Sequence, residues 1–82
     1  MPRLRTPKED NLAAYTAREI RAEMGRQGVT QEVLAERLGC TQRLLSRRLT
    51  ADVAVETDLL DRIASALGVP VTQFLPTEAR AA

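Results

Sequence analysis

An 82-residue chain with 44% hydrophobic and 28% charged residues has the make-up of one small soluble domain and not of a disordered segment. A net charge of +1 gives no bulk electrostatic argument for nucleic acid, and a single cysteine excludes an intrachain disulfide and gives no support to a cysteine-based metal site. One Tyr, one Phe and no Trp leave an aliphatic core.

Residues 1–5 are basic and carry a proline, so they read as a disordered arm. Thr6-Pro7-Lys8-Glu9 then has the form of a helix start: a Thr cap, Pro in the first helical position, and Glu three residues after the cap. The helix is expected to run to about Arg26, with Leu12, Thr16, Ile20 and Met24 as its core stripe beside Ala13 and Ala17. Gly25 and Gly28 should end it. Arg18, Glu19, Arg21 and Glu23 read as its solvated face, with local ion pairs.

Thr30 is a good N-cap for a second helix with Val33, Leu34, Ala35 and Leu38 on its apolar side. Gly39 suits a left-handed cap, and Thr41 offers a new N-cap two residues later. Cys40, between them, reads as a small apolar plug. Leu45 and Leu49 lie on one face of the third helix, leaving Gln42, Arg43, Leu44, Ser46, Arg47 and Arg48 on its other faces. Thr50 to Glu56 lacks a helical stripe and reads as a loop, with a turn at Asp52. Thr57 should cap a fourth helix whose Leu60, Ile63, Ala64 and Leu67 recur at helical spacing, with Gly68 as its stop. Pro70 opens a fifth short helix, Val71 to Leu75, and Pro76 stops it; residues 77–82 read as a frayed tail.

The charge is segregated. Thr41 to Thr50 carries three arginines and no acid; Ala51 to Asp61 carries Asp52, Glu56, Asp58 and Asp61 and no base. This suits a basic binding face with an acidic face elsewhere. The third helix also bears the right chemistry for the major groove. Gln can bond adenine N6 and N7 together, and Arg can do the same with guanine O6 and N7. Gln42 and Arg43 sit in the first turn, and Arg47 projects from nearly the same face, where it can reach a base or a phosphate. Ser46 is a weaker base contact. Leu44 can meet a thymine methyl or cover the edge of the helix pair.

Gln31, Leu34-Ala35, Leu38-Gly39, Thr41-Gln42 and Leu45, followed by Ala64-Ser65-Ala66-Leu67-Gly68-Val69, resemble the helix-turn-helix of the Cro and lambdoid-repressor type, the xenobiotic-response-element family. The resemblance spans about Ala17 to Leu75. It implies an all-α, five-helix lambda-repressor-like domain over residues 6–76, with its motif at 30–49 and Ala35 small where the two helices cross. It also implies that Gln31 touches a phosphate and braces Gln42, and that the first turn of the third helix reads bases; Thr41 is a further candidate for phosphate, as is Arg48 if it turns outward. Two stretches depart from the pattern. Arg48 and Leu49 stand where many members have an apolar residue and Glu, and the usual glycine after the helix is replaced by Ala51-Asp52.

These features point to a sequence-specific DNA-binding transcriptional regulator, a phage-type repressor or Cro-like protein that occludes a promoter. The expected partner is a double-stranded DNA operator, with a homodimer on DNA whose interface lies near Val69 to Leu75. Arg3, Arg5 and Lys8 are candidate arm contacts, although a solvated tail is the plainer reading. The alternatives are an antitoxin-type interaction module and an architectural or excision-type factor. No histidine, phosphate loop, metal cluster or nucleophile elbow supports an enzyme, and no cofactor or small-molecule ligand is expected. Without a signal peptide or long apolar run, the expected location is the cytoplasm, at the nucleoid of a bacterium or phage-infected cell.

Overall fold

The computed structural model describes residues 11–76. They form α1 (Leu12–Gln27), α2 (Gln31–Leu38), α3 (Gln42–Leu49), α4 (Thr57–Leu67) and a closing 3₁₀ turn, Val71–Phe74. There is no strand among the described residues, so the loop reading of Thr50 to Glu56 holds. The expected fifth helix is this 3₁₀ turn: the five residues between Pro70 and Pro76 leave too little chain for an α-helical ladder.

The expected start at Thr6-Pro7 lies outside the described residues, as do the arm and the tail. The helix that holds Leu12 begins at Leu12 itself. Asn11 before it is extended (φ −89°, ψ 172°), and its side-chain oxygen accepts from the Ala14 N–H at 2.8 Å. Leu12 is therefore a first-turn residue, 53% exposed, and not part of the core stripe. Ala14, Ala17, Ile20 and Met24 form that stripe with Thr16. Gly28 ends α1 in the left-handed conformation, whereas Gly25 stays inside the helix.

The caps of the central helices are as the sequence suggests. Thr30 accepts from the Val33 N–H at 3.2 Å and Thr41 from the Leu44 N–H at 3.1 Å. Gly39 takes φ +71°, so the chain reverses within two residues of Leu38. Leu34, Ala35 and Leu38 are buried, while Val33 is 37% exposed. At α4 the reading needs two corrections. Glu56, not Thr57, is the N-cap residue, and it makes no side-chain cap bond. The buried leucine of the pair is Leu59, with Leu60 half-buried on the flank.

α1 packs on α3 and on the 3₁₀ turn, α2 packs on α3 and α4, and α4 packs on the 3₁₀ turn. One core results, centred on Ile20, Leu34, Leu45, Leu49, Ile63 and Phe74, all fully buried. The Thr16 hydroxyl donates to the Phe74 carbonyl at 3.0 Å inside it. Glu23, expected on the solvated face, is buried instead. Its carboxylate accepts from Arg26, Gln27 and Gln73, which ties α1 to the 3₁₀ turn. Arg18 lies 4.0 Å from Glu19 and over the Tyr15 ring, as a local surface cluster. Among the described residues no helix is long and apolar enough to cross a membrane.

Two stability predictions follow from this packing. Phe74→Ala should cost about 3–5 kcal/mol in urea unfolding, as expected for an aromatic side chain removed from a close-packed site. A loss below about 1 kcal/mol would show that the 3₁₀ turn is not part of the cooperative core. The second concerns pH. Hydrogen bonds from Gln27, then Arg26 and Gln73, hold the Glu23 carboxyl below its ordinary value against the opposing effect of burial. A carboxyl lowered on folding stabilises the fold above the unfolded carboxylate value, and that contribution fades as pH falls through it toward the lower folded value. The urea midpoint should therefore drop from pH 6 to pH 3, and Glu23→Gln should flatten that profile.

Candidate nucleic-acid interface

The eight residues of α3 divide cleanly around its axis. At about 100° per residue, Leu45 and Leu49 face one way and Arg43 and Arg47 the opposite way. The two leucines are fully buried and the two arginines exposed. Neither guanidinium has a hydrogen-bond or ion-pair partner among the described residues. Gln42 and Ser46 share one flank; Gln42 is exposed and Ser46 half-buried. Leu44 and Arg48 share the other flank, which faces α4.

That second flank is occupied. Leu44 packs against the core cluster and, with Cys40, Leu59 and Arg62, lines a hollow of about 320 Å³ between the turn and α4. Cys40 is half-buried there, in keeping with a plug in the turn. Arg48 is held by both oxygens of Glu56, at 3.2 and 3.0 Å, and its side chain is only 15% exposed. The Glu56 hydrogen bond raises the Arg48 pKa above its ordinary value, and the same bond lowers that of Glu56. Glu56 is therefore a paired acid and not simply part of a solvated face.

The N-terminal ends of α2 and α3 carry the other sequence candidates. Gln31 is half-buried at the first position of α2, and Gln42 is exposed at the first position of α3. Among the described residues no hydrogen bond joins the two side chains. The Thr41 oxygen accepts from Leu44, which leaves its O–H able to donate. Arg3, Arg5 and Lys8 lie outside the described residues. Among those described, no group of His, Cys, Asp or Glu could hold a metal ion.

Residues 17–75 match the family described as a helix-turn-helix domain. The chain belongs to that family. Its α2–turn–α3 unit is thus a DNA-binding motif, and double-stranded DNA is what such a unit binds. The chain is also similar to a solved structure, the hypothetical transcription factor NHTF from Neisseria. The two are 28% identical with a TM-score of 0.68, over 99% of this chain and 94% of that one. No curated protein matches the chain.

One backbone feature of this helix-turn-helix domain was not anticipated. Ala51, just beyond α3, has φ +65°, the only non-glycine residue with positive φ among those described. Glycine adopts this backbone without cost, and the chain takes it here with an alanine. Ala51→Gly should therefore stabilise the fold by about 1 kcal/mol. That corresponds to a rise of about 4–8 °C in Tm for a domain of this size. An unchanged or lower Tm would show that the left-handed turn is not kept in solution.

Proposed function

We propose that this chain is a sequence-specific transcriptional regulator of the phage repressor or Cro-like kind, which places α3 in the major groove and blocks a promoter by occupying it. The observation that carries the reading is the exposed ridge of Arg43 and Arg47. Its two guanidinium groups have no hydrogen-bond or ion-pair partner among the described residues, and it lies directly opposite the leucines that seat the helix. Arg43 reads guanine, Gln42 reads adenine, and Arg47 reaches the next base or a phosphate. Ser46 adds a secondary contact beside Gln42. Leu44 covers the edge of the helix pair. Thr41 and Gln31, at the starts of α3 and α2, bind phosphate through a hydroxyl, an amide and the free N–H groups of each first turn.

A second copy of the chain on the same operator is the proposed protein partner. The side of the molecule that carries Val71 and Leu75 is continuous with a groove of about 480 Å³ along Leu12, Val55 and Leu60. The nine residues lining it carry no charge in a chain that is 28% charged, which suits contact with an identical uncharged face. The site of action is the compartment that holds the DNA.

Selection from a random duplex library, with wild type and Arg43→Ala at two salt concentrations, tests the reading. A single enriched motif should emerge, and Arg43→Ala should relax one position of it by about 1–3 kcal/mol. A palindromic motif with half-sites about 34–36 Å apart supports the dimer. Binding that only weakens with salt, without enrichment, rejects the sequence reader in favour of an architectural or partner-dependent role.

A further inference from the structure

α3 is held at its far end by the loop that follows it, by Arg21 of α1 and by its own Arg48. Its last four carbonyls, those of residues 46–49, need partners that the helix itself cannot supply. The loop after it serves three of them: Thr50 N–H donates to Ser46, Asp52 and Val53 N–H donate to Arg47, and Ala51 N–H donates to Arg48. The fourth, on Leu49, accepts from the guanidinium of Arg21, which comes across from α1. On the flank toward α4, Arg48 reaches over the loop to Glu56 with both forks of its guanidinium. Glu56 stands at the N-cap position of α4 but gives its own helix no side-chain cap. Its carboxylate joins the end of α3 to the start of α4 instead.

We propose that Arg21, Arg48 and Glu56 are positioning residues that set the tilt of α3 and make no contact with DNA. The proposal rests on α3 being the DNA-reading helix. Eight residues make a rod of about 12 Å, so a pivot of about 10° at its capped start moves its far end by about 2 Å. That displacement is enough to take Arg47 out of hydrogen-bond range of a base edge. The core side of the rod rests on two leucines, and contact between apolar side chains resists rolling weakly because it has no preferred direction. Two directional anchors, one on each side of the helix end, supply that resistance. In this arrangement the phosphate-neutralising charge of α3 comes from Arg43 and Arg47, and Arg48 contributes none.

Salt titrations separate a positioning role from a phosphate clamp. Wild type, Arg21→Met, Arg48→Met, Glu56→Gln and the double variant Arg48→Met/Glu56→Gln are compared on the selected duplex and on an unrelated duplex. Positioning predicts that each single variant loses about fivefold or more on the selected duplex, with binding to the unrelated duplex and the slope of log K against log salt both unchanged. The double variant should lose no more than Arg48→Met alone, because both changes break one contact. Arg21→Lys should recover most of the Arg21→Met loss. A purely structural role would lower Tm without moving the ratio of the two affinities. That ratio unchanged in all variants overturns the proposal. So does a slope reduced by about one in Arg48→Met, which is the mark of a lost phosphate contact. Tighter binding with a steeper slope in Glu56→Gln overturns it too, because Glu56 would then be withholding Arg48 from phosphate. Glu56→Gln alters an exposed, near-isosteric side chain, so it carries the test at 25 °C even if an arginine variant unfolds. A wild type without sequence selectivity fails the DNA-reading assignment and the proposal with it, whereas the other outcomes leave that assignment standing.

Discussion

Helices of eight residues do not hold their shape in water by themselves, because nucleation costs more than so few backbone bonds return. The two helices of the motif are both of that length, so everything about the site depends on what their ends and inner faces are tied to. The N-terminal ends are closed locally by Thr30 and Thr41. The C-terminal ends are closed partly by the loops that follow them and partly from a distance. Arg62 of α4 donates to the Leu38 carbonyl that ends α2, and Arg21 of α1 donates to the Leu49 carbonyl that ends α3. Arg37 and Gln27 do the same at the end of α4, donating to Ala66 and Leu67. Each of these donors belongs to a different helix from its acceptor. A cation or amide at a helix C-terminus also meets the negative end of the helix dipole. As a result the C-terminal ends of α2, α3 and α4 are each held by a side chain from another helix.

This arrangement explains which parts of the structure the sequence disclosed. Cap chemistry acts over three residues, so Thr30, Gly39, Thr41 and Gly68 are readable from their neighbours alone. The outward face of α3 is equally readable, since Leu45 and Leu49 leave only one direction for Arg43 and Arg47. Contacts between distant residues leave no such trace. Glu23 sits in an alternating charged run and looks solvated, yet Gln73, fifty positions away, bonds to it. Arg48 resembles its neighbour Arg47 in every local respect, and only the path of the loop brings Glu56 to it. Leu59 and Leu60 are adjacent leucines at the same phase boundary, and periodicity cannot choose the buried one. Asn11 is hard to pick out as a cap from the sequence because Thr6-Pro7 carries the fuller start signature.

The segregation of charge has a more specific meaning in three dimensions than in the sequence. The acidic run from Ala51 to Asp61 does not simply lie elsewhere on the surface. One of its members, Glu56, neutralises one of the three arginines of the basic run and pins it. The remaining two arginines face outward together. A short helix thus presents its charge on one ridge, and the neighbouring Arg48 is held to the side by Glu56.

Ala51 keeps a left-handed backbone that costs a residue with a Cβ about 1–2 kcal/mol. Such a conformation persists only where surrounding contacts over-determine it, and here those contacts are the loop bonds to residues 46–48 and the two arginine anchors. Strain and restraint are therefore concentrated on the same few residues at the end of α3. Opening events in a small domain begin where the local free energy is least favourable. Residues 50–53 combine the backbone cost at Ala51 with the bonds that close the end of α3, so exchange of their amides reads out how firmly that end is held.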